Sequence, residues 1–406
     1  MSKPLNILQF CKKIPYPAKD GETLAINAIT NGLYKLGHKV TVLAIETPKH
    51  KLQTNAFPEY FNSKIKFHSE FVNTDVKFWP ALWHLFEGGS YNISRFYHPD
   101  INAKLQKIFQ NQKFDVVQLE GIYLLPYLPL IRKFCSSNVK VVLRSHNVEF
   151  EIWERLAEET QNPLKAWYFG HLARRMKAYE LKHINDADAL VCITDRDADF
   201  FKDFGCKRPT ITLPMCVDLA QYPLVDFEKT DFASVFFLGS LDWIPNQQGL
   251  IWFLEQVWPI VTAQMPQVKC YIAGRNAPKW LTDMAYWNVE MLGEVPNAVN
   301  FMGQKGVQVV PLFSGSGMRV KLIEAMALGK PIVATTTAAE GINCQHQQHI
   351  LLADEPLPFA NALIRVLKNK TYAKKMGLAA RQLIENQYNL TDNIAQLARF
   401  YYWLLN

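Results

Sequence analysis

Short apolar runs rich in Val, Ile, Leu and Phe alternate along the chain with longer stretches in which apolar residues recur at helical spacing. In the first half the runs fall at Leu5–Phe10, Lys39–Ile45, Phe114–Leu119, Lys140–Ser145 and Ala189–Thr194, with a helix predicted from about Glu22 to Leu36 between the first two. After a Pro- and charge-containing stretch from Leu213 to Asp231 the pattern resumes at Ala233–Ser240, Val268–Gly274, Val289–Gly293, Val307–Phe313 and Pro331–Thr336. Helices are predicted there near Gly249–Ala263 and Met318–Leu328. Buried strands alternating with helices are the pattern of parallel βαβ units whose helices cover both faces of a sheet. The spacing therefore predicts an α/β protein of two Rossmann-like domains, residues 1–215 and 216–390, facing each other across a cleft. From about Thr371 onward the chain reads as helices, with Thr391 as an N-cap. The aromatic-rich end, residues 391–406, is expected to bury itself by packing back on the N-terminal domain. Ligands of open α/β sheets sit beyond the carboxyl ends of the strands, so the residues following each run are the ones to interrogate.

The 406-residue length agrees with two core-bearing domains of ~150 residues or more each. With 49% apolar and 20% charged residues the chain is neither disordered nor collagen-like. Lys and Arg outnumber Asp and Glu by 44 to 37, and the resulting charge of +7 suits phosphate-bearing ligands or anionic membranes without calling for nucleic acid. The seven cysteines include no Cys-x-x-Cys pair, so neither a disulfide framework nor a structural zinc site is indicated, and a reducing cytoplasm is expected. The first ten residues read as a strand and not as a secretory leader, and no apolar run approaches the ~18 residues of a membrane span.

The most informative segment runs from Val309 to Thr335: strand, Gly-rich turn, helix, Gly stop, strand. Gly315 and Gly317, flanking Ser316, allow a backbone to approach an anion closely, and the free N–H groups at the start of the following helix carry the positive end of its dipole. Arg319 and Lys321 add full charges at the same place. Glu324, three residues past Lys321, is an acceptor-only carboxylate that could hold a pair of ribose hydroxyls. These residues together read as a cradle for a nucleoside diphosphate. A helix-face ion pair between Lys321 and Glu324 is the structural alternative.

The string SGSGMRVKLIEAMALGKPIVATTTAAEGI resembles the donor-binding segment of retaining glycosyltransferases of the GT-B fold, in the family-four group of bacterial enzymes that use nucleotide-sugar donors. The resemblance also covers PYPAKDGE and LYKLGHKVTVLA near the start, LRSHNVEFE, FFLGSLDWIPNQQGL and IAGRNAPKW. It implies transfer of a sugar from a donor such as a UDP- or GDP-sugar to a glycan or lipid-linked acceptor hydroxyl, in polysaccharide or glycoconjugate assembly. Neither a metal nor another cofactor is implied. By the same resemblance His146 contacts the donor sugar near the reaction centre, and Gly21 keeps the first glycine of a loop that abuts the diphosphate. Glu22 stands where a second glycine is usual, and Asp20 there is equally a helix cap. Counting back eight from Glu324 reaches Ser316, so the first Glu of the family's Glu-x7-Glu pair is missing. The cations usual after the first strand of the second domain are also absent, and Arg319, Lys321 and Arg275 are the substitutes. Val295 is placed at the nucleobase and Glu340 near the donor or its ribose. Glu120 and Glu149 are read as solvated loop carboxylates, with the orientation of acceptor hydroxyls as the alternative.

Two other classes share some of these signals. An NAD-dependent dehydrogenase would also place Gly315-Ser316-Gly317 between strand and helix, but Val320 replaces the third glycine of that fingerprint. A catalytically silent adaptor of the same fold would lack the first Glu. The acidic triplets at 186–188 and 195–199 resemble the Asp-x-Asp of metal-using transferases but are placed as helix and strand caps. An aromatic-rich stretch at 77–97 and a basic helix carrying Lys165, Arg174, Arg175, Lys177 and Lys182 are explained by core packing with a solvated basic face. Peripheral contact with the inner face of a membrane is the alternative.

Overall fold

The computed structural model describes residues 3–18, 20–52, 64–74, 90–160, 162–315 and 317–406. The chain packs as two units, residues 1–215 together with 391–406, and residues 216–390. In the first unit, β1 (Asn6–Cys11), β2 (Lys39–Glu46), β3 (Lys66–Phe71), β4 (Val116–Glu120), β5 (Lys140–Ser145), β6 (Ala189–Cys192) and β7 (Thr210–Thr212) form one sheet in the order β3-β2-β1-β4-β5-β6-β7. In the second, β8 (Asp231–Leu238), β9 (Lys269–Ala273), β10 (Val289–Gly293), β11 (Lys305–Val310), β12 (Ile332–Ala334) and β13 (Leu351–Leu352) follow the order β10-β9-β8-β11-β12-β13. Every pairing within the two sheets is parallel. Both units are thus the Rossmann-like α/β layers that the alternation predicts.

The two faces of the first sheet differ in chemistry. Because side chains alternate along a strand, Leu8 and Phe10 of β1, Val117 and Leu119 of β4, and Val141 and Leu143 of β5 enter one apolar core. Their neighbours on the opposite face include Gln9, Gln118, Glu120 and Arg144, all at most 1% exposed. Register sets these side by side: Gln9 lies opposite Gln118, and Glu120 opposite Arg144. Two helices take up the outer members of this polar row. In α1 (Gly21–Lys35), Thr30 donates to the Gln9 side-chain carbonyl, and in the final helix (Leu390–Leu405) the Tyr401 hydroxyl donates to that of Gln118. The two helices approach closely where α1 carries Gly32, since a Cβ there would lie 2.6 Å from Ile394. The aromatic end of the chain therefore packs against the first unit, as its composition leads one to expect.

Some boundaries differ from expectation. The last helix begins at Leu390, so Thr391 is its second residue and not its cap. The helix predicted near Gly249 starts at Ile244, with Pro245 in its first turn, where its missing N–H costs nothing. It passes through a π-turn at Phe253–Val257 and continues as Trp258–Gln264. Pro259 cannot donate to the preceding turn, which accounts for the irregular stretch. Residues 77–89 of the aromatic stretch lie outside the described residues. The basic helix Pro163–His183 buries Leu172, Ala173, Met176 and Glu180, while Leu164 and Trp167 are exposed. Among the described residues no helix is long and apolar enough to cross a membrane.

Replacing Tyr401 by Phe leaves the Gln118 carbonyl oxygen buried without its donor. The expected loss is about 1–3 kcal/mol, seen as a lower denaturant midpoint; an unchanged midpoint would show that the buried polar row does not depend on the final helix.

Candidate functional site

In the second unit the candidate residues follow the strands in turn. Arg275 comes after β9, Val295 after β10, the turn containing Gly315 and Gly317 after β11, and Glu340 after β12. Since these strands are parallel, all of these positions lie at one edge of the sheet. Gly315 has φ +108° and Gly317 φ +79°. Both are left-handed conformations that glycine adopts without strain. A Cβ on Gly315 would come within 2.9 Å of the Trp243 indole and 3.3 Å of an Arg319 guanidinium nitrogen. Ser316 lies outside the described residues.

Arg319 is the N-cap of the helix Val320–Ala327, two residues later than predicted, because its own backbone is extended at φ −83° and ψ 97°. Its side chain is buried, donates to the Gly317 carbonyl and lies 5.9 Å from the Trp243 ring. Lys321 is partly exposed and meets Glu324 Oε2 at 2.7 Å, so the helix-face ion pair foreseen as an alternative is formed. The Tyr222 hydroxyl donates to Glu324 Oε1 at 2.8 Å. Burial and then the Glu324 carboxylate hold the Tyr222 phenol in its neutral, donating form. A carboxylate offers about four lone-pair sites, so these two contacts leave Glu324 able to accept from further donors. Arg275 Nε donates to Ser240 Oγ at 3.2 Å, and Ser240 Oγ in turn to Asp242 at 2.9 Å, which ties the loop after β9 to the loop after β8. The two loops meet at Gly274, where a Cβ would lie 1.8 Å from the Gly239 carbonyl. Val295 and Glu340 are both half-buried.

The first unit holds a second cluster. Glu120 and Glu149 are not solvated, as their places after strands suggest; they are 0% and 5% exposed. Glu120 closes β4 on the polar face of the sheet, where Arg144 of β5 stands beside it. Its Oε2 accepts from Arg144 Nη1 at 3.1 Å and from His146 Nε2 at 2.8 Å. Its Oε1 accepts from Gln9 Nε2 at 2.7 Å and from Gln118. Burial alone would raise the Glu120 carboxyl, but the Arg144 guanidinium and these hydrogen bonds hold it at about 2. Asp20 caps α1 by accepting from the Thr23 N–H at 2.9 Å, so the capping alternative is formed, and Gly21 is the first helical residue. Glu22, in the first turn, meets Lys13 at 3.0 Å and Lys12 at 3.5 Å, and its Oε1 lies 3.9 Å from His146 Nδ1. Against the upward pull of burial, Lys12, His146 and Lys13 keep the Glu22 carboxyl below its ordinary range.

Glu149 accepts from the Tyr123 hydroxyl at 2.8 Å. Glu180, fully buried beneath the start of the helix Glu149–Glu159, accepts the Glu149 and Phe150 N–H groups at 3.2 and 3.3 Å. Burial, and then the charge of Glu149, push the Glu180 carboxyl up to about 8. The acidic triplets have structural partners: Asp188 holds Arg132 at 2.8 Å and the Val141 N–H at 2.7 Å, and Thr194 caps the helix containing Asp195 and Asp197. Gln9, Gln118, Arg144, Tyr222 and Tyr401 carry no motif, and single polar residues inside apolar runs are the one signal that marks the first three.

The second half of the chain matches the family model for glycosyl transferases group 1 over residues 233–369, and the first half that for Glycosyltransferase Family 4 over residues 23–221. A curated relative, an uncharacterised 44.6 kDa protein in the cps region of Klebsiella pneumoniae, is 24% identical over 92% of this chain and 94% of its own. A phosphatidyl-myo-inositol mannosyltransferase of Mycolicibacterium smegmatis is 29% identical over 47% of this chain and 51% of its own. Among solved structures, the sucrose-phosphate synthase of Thermosynechococcus elongatus superposes with a TM-score of 0.67 at 14% identity, over 98% of this chain and 99% of that one. HepE of Anabaena, solved in complex with UDP, gives 0.66 at 13% identity over 97% and 98%.

A carboxyl raised in the folded state binds more protons there than in the unfolded chain, so its contribution to stability is full below its unfolded value near 4.5 and is lost as pH rises through about 8. Stability is therefore expected to fall between these limits, and Glu180→Gln to flatten that part of the profile. Denaturation midpoints measured from pH 5 to 9 for both proteins check this; parallel curves would refute it.

Proposed function

Because the chain belongs to the GT-B glycosyltransferases of the family-four group, we propose that it moves a hexosyl unit from a nucleoside diphosphate sugar to an acceptor hydroxyl with retained anomeric configuration. The observation that carries this reading is the turn after β11. There a helix N-terminus, two left-handed glycines and the buried Arg319 guanidinium lie together, with Lys321 on the first turn. Backbone N–H groups and cations arranged in this way favour a multiply charged phosphate. The Lys321 ammonium has three hydrogens, so it holds Glu324 and still offers donors to phosphate oxygens.

A leaving diphosphate gains charge as the glycosidic bond lengthens, and preorganised donors stabilise that charge most where it develops. In this reading Arg319, Lys321 and Arg275 serve that purpose in place of a metal ion. Glu324, steadied by Tyr222, accepts from the ribose hydroxyls. Val295 lines the nucleobase and Glu340 approaches the donor. Attack comes from the face the diphosphate leaves, whose oxygen takes the acceptor proton, so no separate protein base is required. His146 steadies the transferred sugar, and the nearby Gly21 stands at the start of α1 without a side chain to obstruct it. The relative in the cps region supports a place in polysaccharide assembly, with a glycan or lipid-linked acceptor, and the UDP in the HepE structure supports a nucleotide donor.

Thermal-shift measurements with UDP, GDP, ADP and their sugars test the donor. Preferential binding to the folded state adds about 2.7 kcal/mol of apparent stability at a hundredfold excess over Kd. Arg319→Ala and Glu324→Ala are each expected to remain folded and to lose the nucleotide-induced shift. An undiminished shift in both variants would remove the nucleotide from this turn.

A further inference from the structure

Glu324 is 7% exposed, and the hydroxyl that meets its Oε1 comes from outside the strand–turn–helix segment carrying most of the candidate phosphate site. Tyr222 closes the short turn Leu219–Gln221, in the irregular stretch that leads into β8. A phenol on such a stretch is only as well placed as its backbone.

That backbone is held against the end of the helix that carries Glu324. Arg381, on the helix Lys370–Gln387, donates through Nη1 to the Tyr222 carbonyl at 2.6 Å and also to the carbonyl of Ala327, the last residue of Val320–Ala327. The Val225 N–H donates to the Leu328 carbonyl at 3.0 Å. Leu224 lies against Gly329, where a Cβ would come within 2.6 Å of its Cδ1. The final carbonyls of a helix have no partner inside it, and here two of them, Ala327 and Leu328, secure the Tyr222 stretch. Arg381 is itself fixed. Its Nε donates to Glu385 at 2.7 Å, and one helical turn before it Gly377 packs so closely that a Cβ would lie 2.0 Å from the Gly329 carbonyl.

The other partner of Glu324 is the Lys321 ammonium, on a side chain 40% exposed to solvent. A point charge on a four-carbon stem neutralises a carboxylate without fixing its plane. The anchored phenol supplies what the lysine does not, a donor at a set position, and a group held in its bound orientation binds without a further ordering cost.

We propose that Tyr222 and Arg381 are positioning residues for ribose recognition: Arg381 pins the Tyr222 stretch to the helix end, and the Tyr222 hydroxyl holds Glu324 with its remaining lone pairs towards the ribose hydroxyls. The proposal rests on the nucleotide-sugar reading above. Neither residue needs to touch the nucleotide.

Calorimetric titration of the full chain with UDP, GDP and ADP, and with their 2′,3′-dideoxy counterparts, tests this. The wild type is expected to bind the preferred ribonucleotide more tightly than its dideoxy form. Tyr222→Phe keeps the ring and removes one donor to a charged acceptor, so it is expected to weaken the ribonucleotide about tenfold while leaving the dideoxy affinity unchanged. Arg381→Lys, which lacks the planar fork, is expected to lower the ratio of the two affinities in the same direction. A purely structural role would weaken both nucleotides alike. Equal weakening of both by Tyr222→Phe, full ribonucleotide affinity in that variant, or a wild type that binds both forms equally would overturn the positioning of Glu324. An unchanged ratio in Arg381→Lys would remove Arg381 from it. Failure of UDP, GDP and ADP alike to bind the wild type would instead refute the nucleotide reading, and this proposal with it.

Discussion

The Arg144–Glu120 ion pair is the constraint around which the first unit is organised. Both side chains are fully buried, and removing two charges from water costs several kcal/mol each unless their remaining donors and acceptors are satisfied. Glu120 meets that demand through Gln9, Gln118 and His146, which explains amide side chains in strands whose other residues are Val, Ile and Leu. Gln9 and Gln118 in turn need donors for their own carbonyl oxygens, and Thr30 of α1 and Tyr401 of the final helix provide them. One buried charge pair thus dictates residue types on three strands and two helices, and it leaves His146 with one nitrogen committed inward.

The second unit handles charge differently. A cation at a helix N-terminus opposes the helix dipole, yet Arg319 caps Val320–Ala327 and Lys321 occupies its first turn. Trp243 lies over the guanidinium and Glu324 pairs with the ammonium, so both cations are held in place locally. Like-signed fields concentrated in this way lower their energy when an anion arrives. An arrangement that is mildly unfavourable in the free protein agrees with the phosphate site proposed above. Trp243 has a geometric role as well, since its indole occupies the space that any side chain at position 315 would need.

Much of this architecture was legible in the chain because central strands such as β1, β4, β5 and β11 are buried and read as apolar runs, with Gly-rich turns at strand ends, whereas β3 and β7, only partly buried, and the two-residue β13 give no such run. The turn at 315–317 and the Lys321–Glu324 pair are local features, and spacing alone places them. Glu120 and Glu149 were misread because a carboxylate after a strand is ordinarily solvated, and only the neighbouring strand and helix reveal the groups that bury them. Tyr222 meets Glu324 across 102 residues, and Tyr401 meets Gln118 across 283. No periodicity records partners so distant, although a lone Gln in Val-Val-Gln-Leu-Glu is a local hint that something polar lies opposite. The Thr391 boundary failed for a smaller reason: helix starts are assigned from capping residues, and here the helix runs one residue past the capping type.

The contact between Tyr401 and Gln118 also bears on how the protein is made. Domains usually fold in order as the nascent chain lengthens, and the second unit, residues 216–390, is continuous in sequence. The first unit is not, because Gln118 on its polar sheet face lacks its donor until synthesis has passed through the whole of the second and reached residue 401. The half of the molecule translated first is therefore completed last.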